Sequence, residues 1–175
     1  CLTVISMATG TIAIHRIPAF MDRGLDAQLI AWSTAFDAVC AGVSTFTVGS
    51  LVKKVGIRIL GTVSFLFLAF ASLITIYAYS FFEIFISMAI FGLGIGGLMF
   101  IHSFIWADYF GRKNLGQIRG KVTPFILIFG GIGAPIAGYV RDYTGSYVTV
   151  WFVGMFMMFF TALLFFTCKK PEKKI

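Results

Sequence analysis

Charge is scarce in this chain. Lys, Arg, Asp and Glu make up 12% of its 175 residues, and only 7 are acidic. The chain is 59% hydrophobic, with a mean hydropathy of +0.94. A soluble domain of this length could not hide so much apolar surface. Cysteine is scarce too. Cys1, Cys40 and Cys168 are far apart and show no ligand spacing, which argues against a disulfide framework and a metal site. No stretch reads as a linker or a soluble domain. The apolar runs lack period-two alternation and are too long for strands. His15 and His102 fall on opposite membrane sides, so no nucleophile, base or ligand cluster gathers at one depth. An integral-membrane enzyme is therefore disfavoured, and no cofactor is expected. A channel would need a filter loop or a ring of charges, and neither is visible. No signal peptide is visible. The chain begins at Cys1, inside an apolar run and without an initiator Met, and is expected to be a fragment.

What is present is a set of six long apolar stretches. A helical span needs about 20 mostly apolar residues. The stretches 2–21, 28–52, 57–79, 82–107, 118–140 and 147–168 each meet that length, and together they predict one all-α membrane domain. The short connections make successive helices antiparallel neighbours. Basic residues favour every second connection. Lys53, Lys54 and Arg58 lie in one. Arg112, Lys113, Arg119 and Lys121 lie in or beside the next but one. Lys169, Lys170, Lys173 and Lys174 fill the tail, 169–175. These are 11 of the 14 Lys and Arg residues. Cytoplasmic loops collect Lys and Arg, so these connections and the C-terminus are expected to be cytoplasmic. The net charge of +7 sits at span ends rather than on one soluble face. It therefore points to anionic lipid headgroups and not to nucleic acid.

A short repeat links the two triplets of spans. The second span ends with Gly49, a charge at Lys53 and then Gly56. The fifth ends with Gly138, a charge at Asp142 and then Gly145. The two strings lie 89 residues apart. Three spans is an odd number, so the second triplet runs inverted relative to the first. Inverted three-plus-three repeats build each six-helix half of one large transporter fold.

Asp37 is the sharpest single residue. It lies about nine residues into the second span, so roughly 13–14 Å deep. A lone Asp there costs about 2.5–3.5 kcal/mol on insertion scales. It reads as a protonation or substrate-coupling site, or as a polar contact with Ser33, Thr34 or a neighbouring helix. His15 and Arg16 precede the end of the first span. They either snorkel to the interface or offer positive charge to an anion. His102 reads as an interfacial histidine bonded to nearby backbone, with proton exchange as the alternative. Gly92-Leu-Gly94-Ile-Gly96-Gly97 contains the Gly-x-Gly-x-x-Gly spacing of a dinucleotide fingerprint, but no strand precedes it and it sits inside an apolar span. Gly92 and Gly96 instead suit close helix approach in lipid. Gly138 belongs to a similar small-residue surface on the fifth span, where Pro124 and Pro135 can kink the helix. Trp32, Trp106 and Trp151 suit interfacial anchoring.

Several strings carry a family resemblance. His15-Arg-Ile-Pro-Ala-Phe-Met-Asp22-Arg-Gly24 closes the first span. Asp108-Tyr-Phe-Gly111-Arg112-Lys113 follows the fourth. Gly133-Ala-Pro135, then Asp142-Tyr-Thr-Gly145-Ser-Tyr147, close the fifth. The chain resembles the C-terminal half of a major facilitator superfamily transporter over nearly its whole length. It is most similar to the monocarboxylate and oxalate/formate-antiporter-like branch. The resemblance implies helices seven to twelve of a twelve-helix fold, with the first six supplied by a missing N-terminal half. It also implies a cytoplasmic gate in which Asp108, Arg112, Lys113 and Arg119 form charge pairs, and a fifth span that bends as gates work. Two positions depart from the pattern. The loop signature is met at Gly49, Lys54 and Gly56, but Lys53 stands where the family has Asp. Thr45 stands where relatives in this branch carry Arg.

These readings lead to secondary active transport of a small organic anion, such as a monocarboxylate, by alternating access. Coupling would be to protons or by exchange. A drug or sugar carrier is the alternative within transport, and a channel or scaffold the alternative outside it.

Overall fold

Helix boundaries follow local chemistry. The computed structural model describes residues 2–111, 113 and 115–168, with side chains from residue 6 onward. Arg112 and the tail 169–175, both named above, lie outside the described residues. The helices are α1 (Leu2–Met21), α2 (Ala27–Val55), α3 (Ile57–Tyr77), α4 (Phe81–Phe110), α5 (Leu115–Thr144) and α6 (Val148–Thr167). The Asp26 carboxylate caps α2, accepting from the Gln28 and Leu29 amides at 2.9 and 3.1 Å. Ser80 and Glu83 form a reciprocal capping box on α4. Gly56 alone separates α2 from α3. Its φ of +91° lies in the left-handed region, where a side chain is strained. Gly145, its counterpart in the repeat, has φ +72°.

Five helices, α2 to α6, are long and apolar enough to cross a bilayer. α1 has 20 residues, as many as α6. α4 and α5 continue about one turn past their apolar stretches. The added turns carry Asp108, Arg141 and Asp142, charges that helical backbone bonding tolerates once the chain leaves hydrocarbon.

Packing respects the two triplets. α2 lies along α4, and α1 lies along α5. α3 packs on α6 and also on α4, and α1 touches α6 more lightly. Exchanging the triplets maps α2·α4 onto α5·α1 and α3·α6 onto itself, the pattern of an inverted repeat. Lipid supplies no hydrophobic force between spans, so close van der Waals contact must hold them. Gly92 and Gly96 provide it. A Cβ at Gly92 would overlap the Asp37 carbonyl oxygen, and one at Gly96 would overlap the Ala41 backbone. On α5, a Cβ at Gly133 would overlap the Thr11 hydroxyl. A Cβ at Gly138 would lie 4.0 Å from the His15 ring, an ordinary contact. Pro124 and Pro135 lie inside α5, which continues helical through both.

The core sits between α3, α4 and α6, around Phe65, Leu68, Phe91, Met158 and Trp151. Trp151 corrects an expectation. It is fully buried rather than an interfacial anchor, packed 6.0 Å from Tyr147. The indole nitrogen of Trp106 is buried as well. Trp32 is 62% exposed, as an anchor would be. A tryptophan's distance from a span end gives its depth but not the side of the helix it occupies.

Candidate functional site

Arg16 and Asp37 meet. The Arg16 Nη2 group donates to Asp37 Oδ2 in an ion pair between α1 and α2. Both residues are 7% exposed. Asp37 is ten residues past the start of α2, so roughly 15 Å deep, whereas Arg16 is nearer the end of α1. The long arginine stem bridges that difference. The backbones of α1 and α2 barely touch, so this pair is the main polar tie between them.

α4 completes the site. The Arg16 guanidinium carbon lies 4.2 Å from the centroid of the Phe91 ring, a cation–π contact away from water. Gly92, the next residue, lets α4 approach the Asp37 backbone. The pair is incompletely satisfied: Arg16 Nε and Nη1 and Asp37 Oδ1 are buried and have no hydrogen-bond partner. Buried polar groups of that kind are uncommon and call for an explanation. The arrangement offers two donors and one acceptor to something small. Towards the other end of α4, the space between α1 and α4 holds a cavity of about 310 Å³, lined by Thr9, Ile95, Met99 and His102 among others.

His15 does not join this site. Neighbours on a helix point about 100° apart, so His15 faces α5 and α6 while Arg16 faces α2 and α4. Its Nε2 lies 2.9 Å from the Ala134 carbonyl, which only accepts, so Nε2 carries the proton. In the neutral ring, Nδ1 then accepts from the Tyr147 hydroxyl at 3.3 Å. The structure therefore separates two residues that the sequence groups together. The Asp37 carboxylate likewise turns to Arg16, while the Ser33 and Thr34 hydroxyls donate to backbone carbonyls of their own helix.

At the basic end of the helices, Asp108, Lys113 and Arg119 are among the described residues. Asp108 lines a cavity of about 620 Å³ with Lys53 and Arg58. Lys113 is exposed. Arg119 donates to the Ser103 carbonyl at 2.7 Å. Arg58 closes the end of α6, its Nη2 and Nε donating to the Phe166 carbonyl at 2.5 and 3.2 Å. His102 also differs from expectation: its buried Nε2 has no partner, so the anticipated backbone bond is missing at that atom.

The opposite end contributes two contacts that the sequence does not announce. Arg141 of α5 donates to Asp22, just past α1, at 2.9 Å. Arg23 donates to the Thr75 carbonyl at 2.8 Å and to the Ala78 carbonyl, fastening the end of α3. Burial lowers the Arg23 pKa from its ordinary value, and the nearby Tyr79 opposes that shift. The strings around Asp22 and Asp142 had signalled this end, but only as family pattern.

Six helices in exchangeable triplets, five of them among the described residues long and apolar enough to span a bilayer, with an ion pair buried between two of the six, define a multi-pass integral membrane protein. The family described as Major Facilitator Superfamily matches residues 1–175, and the chain belongs to that superfamily. It is thus a membrane transporter by family, and members of that family are not enzymes. No curated protein matches the chain.

Proposed function

We propose that the chain is the C-terminal half of a secondary active carrier that moves a small organic anion, such as a monocarboxylate, by alternating access. The observation that supports this most is the buried Arg16–Asp37 pair with its three unpartnered polar atoms. An ion pair kept only for structure would be expected to satisfy its remaining donors. Here Arg16 holds donors in reserve, and a carboxylate is the group that guanidinium forks recognise best. Protonation of Asp37 would release the guanidinium to an incoming anion, which couples solute to proton. Exchange of two anions would use the same cation without that step. The resemblance to monocarboxylate and oxalate/formate-type carriers points the same way. The N-terminal six helices would form the other wall of the path. The basic connections would face the cytoplasm at the cell (inner) membrane, with Asp108, Arg112, Lys113 and Arg119 in the gate there.

A second reading has its own support. Asp37 neutralises Arg16, and Thr45 stands where relatives carry Arg, so this half has no net midspan positive charge. A drug or sugar carrier fits that balance. Proteoliposome uptake of labelled lactate, formate and a neutral sugar under an imposed pH gradient separates the readings. The anion reading expects saturable anion uptake, its loss in Arg16→Gln, and, if protons are coupled, loss of gradient-driven accumulation with exchange retained in Asp37→Asn. Unchanged anion kinetics in Arg16→Gln would count against it.

A further inference from the structure

The basic end of α4 carries a group of side chains that the ion pair does not use. His102 and Trp106 are one turn apart, their rings edge to face with centroids 6.2 Å apart and planes at 88°. His102 Nε2 and Trp106 Nε1 are both buried, and neither has a hydrogen-bond partner. Arg119 of α5 stands across from them, held by the Ser103 carbonyl at 2.7 Å. These side chains, with Thr123, line a cavity of about 210 Å³ between α4 and α5. It is bordered also by Ser103 and Ile126, which with His102 line the cavity between α1 and α4 too.

Donors lead the chemistry of the lining. An indole N–H and a guanidinium only donate, a neutral imidazole donates from one nitrogen and accepts at the other, and the Ser103 and Thr123 hydroxyls do both. No carboxylate among the described residues lines this cavity. Asp108, two residues beyond Trp106, lines the separate cavity with Lys53 and Arg58. A full positive charge and two unused ring nitrogens therefore surround a space without an anionic acceptor. Buried donors left open in this way call for an acceptor. The volume is below the roughly 300–1,000 Å³ of drug-sized sites, so the acceptor is small. Arg119 is itself exposed, which leaves the space reachable from the basic end.

We propose that this cavity is a second anion site, which takes a small carboxylate between the Arg119 guanidinium, the Trp106 indole N–H and an Nε2–H of His102. It is distinct from the Arg16 site. Phe91, which carries Arg16, and Trp106 are separated by about 22 Å along α4 at the helical rise. The site therefore stands whether or not Arg16 binds solute, and its test does not depend on transport.

Trp106 is its own reporter. The whole protein, purified in detergent, is titrated with sodium acetate while sodium HEPES, too bulky for the cavity, holds ionic strength constant. The difference in tryptophan emission between wild type and Trp106→Phe isolates the site. The expected result is a saturable change with acetate and none with acetamide, its neutral counterpart. Arg119→Gln should raise the half-saturating concentration by at least about tenfold, the loss of one charge-assisted bond. Arg119→Lys should retain part of the affinity, and Arg16→Gln should leave the titration where it was. His102→Phe supplies an independent arm if Arg119→Gln does not fold, and it should weaken acetate binding too. A response linear in acetate, equal with acetamide, or untouched in folded Arg119 and His102 variants overturns the proposal. A response abolished in folded Arg16→Gln overturns it as well, because the anion would then sit at the ion pair.

Discussion

A guanidinium and a carboxylate withdrawn from water depend on each other, because each leaves an uncompensated charge if the other is removed. Breaking a buried pair by deleting one partner costs about 3–5 kcal/mol, whereas replacing both with apolar residues is often neutral. Arg16→Met should therefore lower the unfolding temperature in detergent markedly, and adding Asp37→Leu should recover most of the loss. The doubly apolar protein should fold and fail to move anions, which separates the structural from the transport role. A double variant no more stable than the single one would mean that the two charges do not support each other. Little of this pairing is legible in sequence. Depth along each span can be counted, and both residues stand out as charges where charge is costly. Which side of a helix each presents depends on how α1 and α2 are turned in the bundle. That is why His15 and Arg16, adjacent in sequence, end on different neighbours, and why Trp151 is in the core.

At the scale of helices, glycine positions decide which pairs can close. Gly96 abuts the Ala41 backbone, so a larger side chain must push α4 away from α2. Gly96→Val should destabilise by about 1–3 kcal/mol, the usual cost of overpacking. Gly131 meets nothing within 4 Å, and Gly131→Ala should leave the unfolding temperature unchanged or raised, through its better helix propensity. Unfolding scans of both variants check the contrast, and equal losses would argue against close packing of α2 on α4. The single-residue turn at Gly56 makes another demand. Its φ of +91° leaves Gly56→Val strained, and poor yield of that variant beside a normal Gly42→Ala is the expected outcome. Helices and turns of this kind are well announced in sequence, because span length, capping residues and turn glycines act locally. The extra turns at the ends of α4 and α5 were not, since polarity marks the edge of hydrocarbon rather than the end of the backbone pattern.

At the scale of the molecule, the two triplets exchange neighbours consistently, and the short Gly49–Gly56 and Gly138–Gly145 strings fall at matching ends of α2 and α5. α1 and α4 lead the triplets and, among the described residues, their backbones make no close contact, which leaves the cavity between them. A carrier that rocks needs such a seam, held at one level by a bond that can open. The Arg16–Asp37 pair against Phe91 supplies that bond in the proposed mechanism. The most direct measurement is counterflow in proteoliposomes loaded with unlabelled anion, comparing wild type, Arg16→Gln and Asp37→Asn. Wild type and Asp37→Asn should accumulate labelled anion saturably, and Arg16→Gln should accumulate none. Ohmic current without counterflow, or full counterflow in Arg16→Gln, would contradict it.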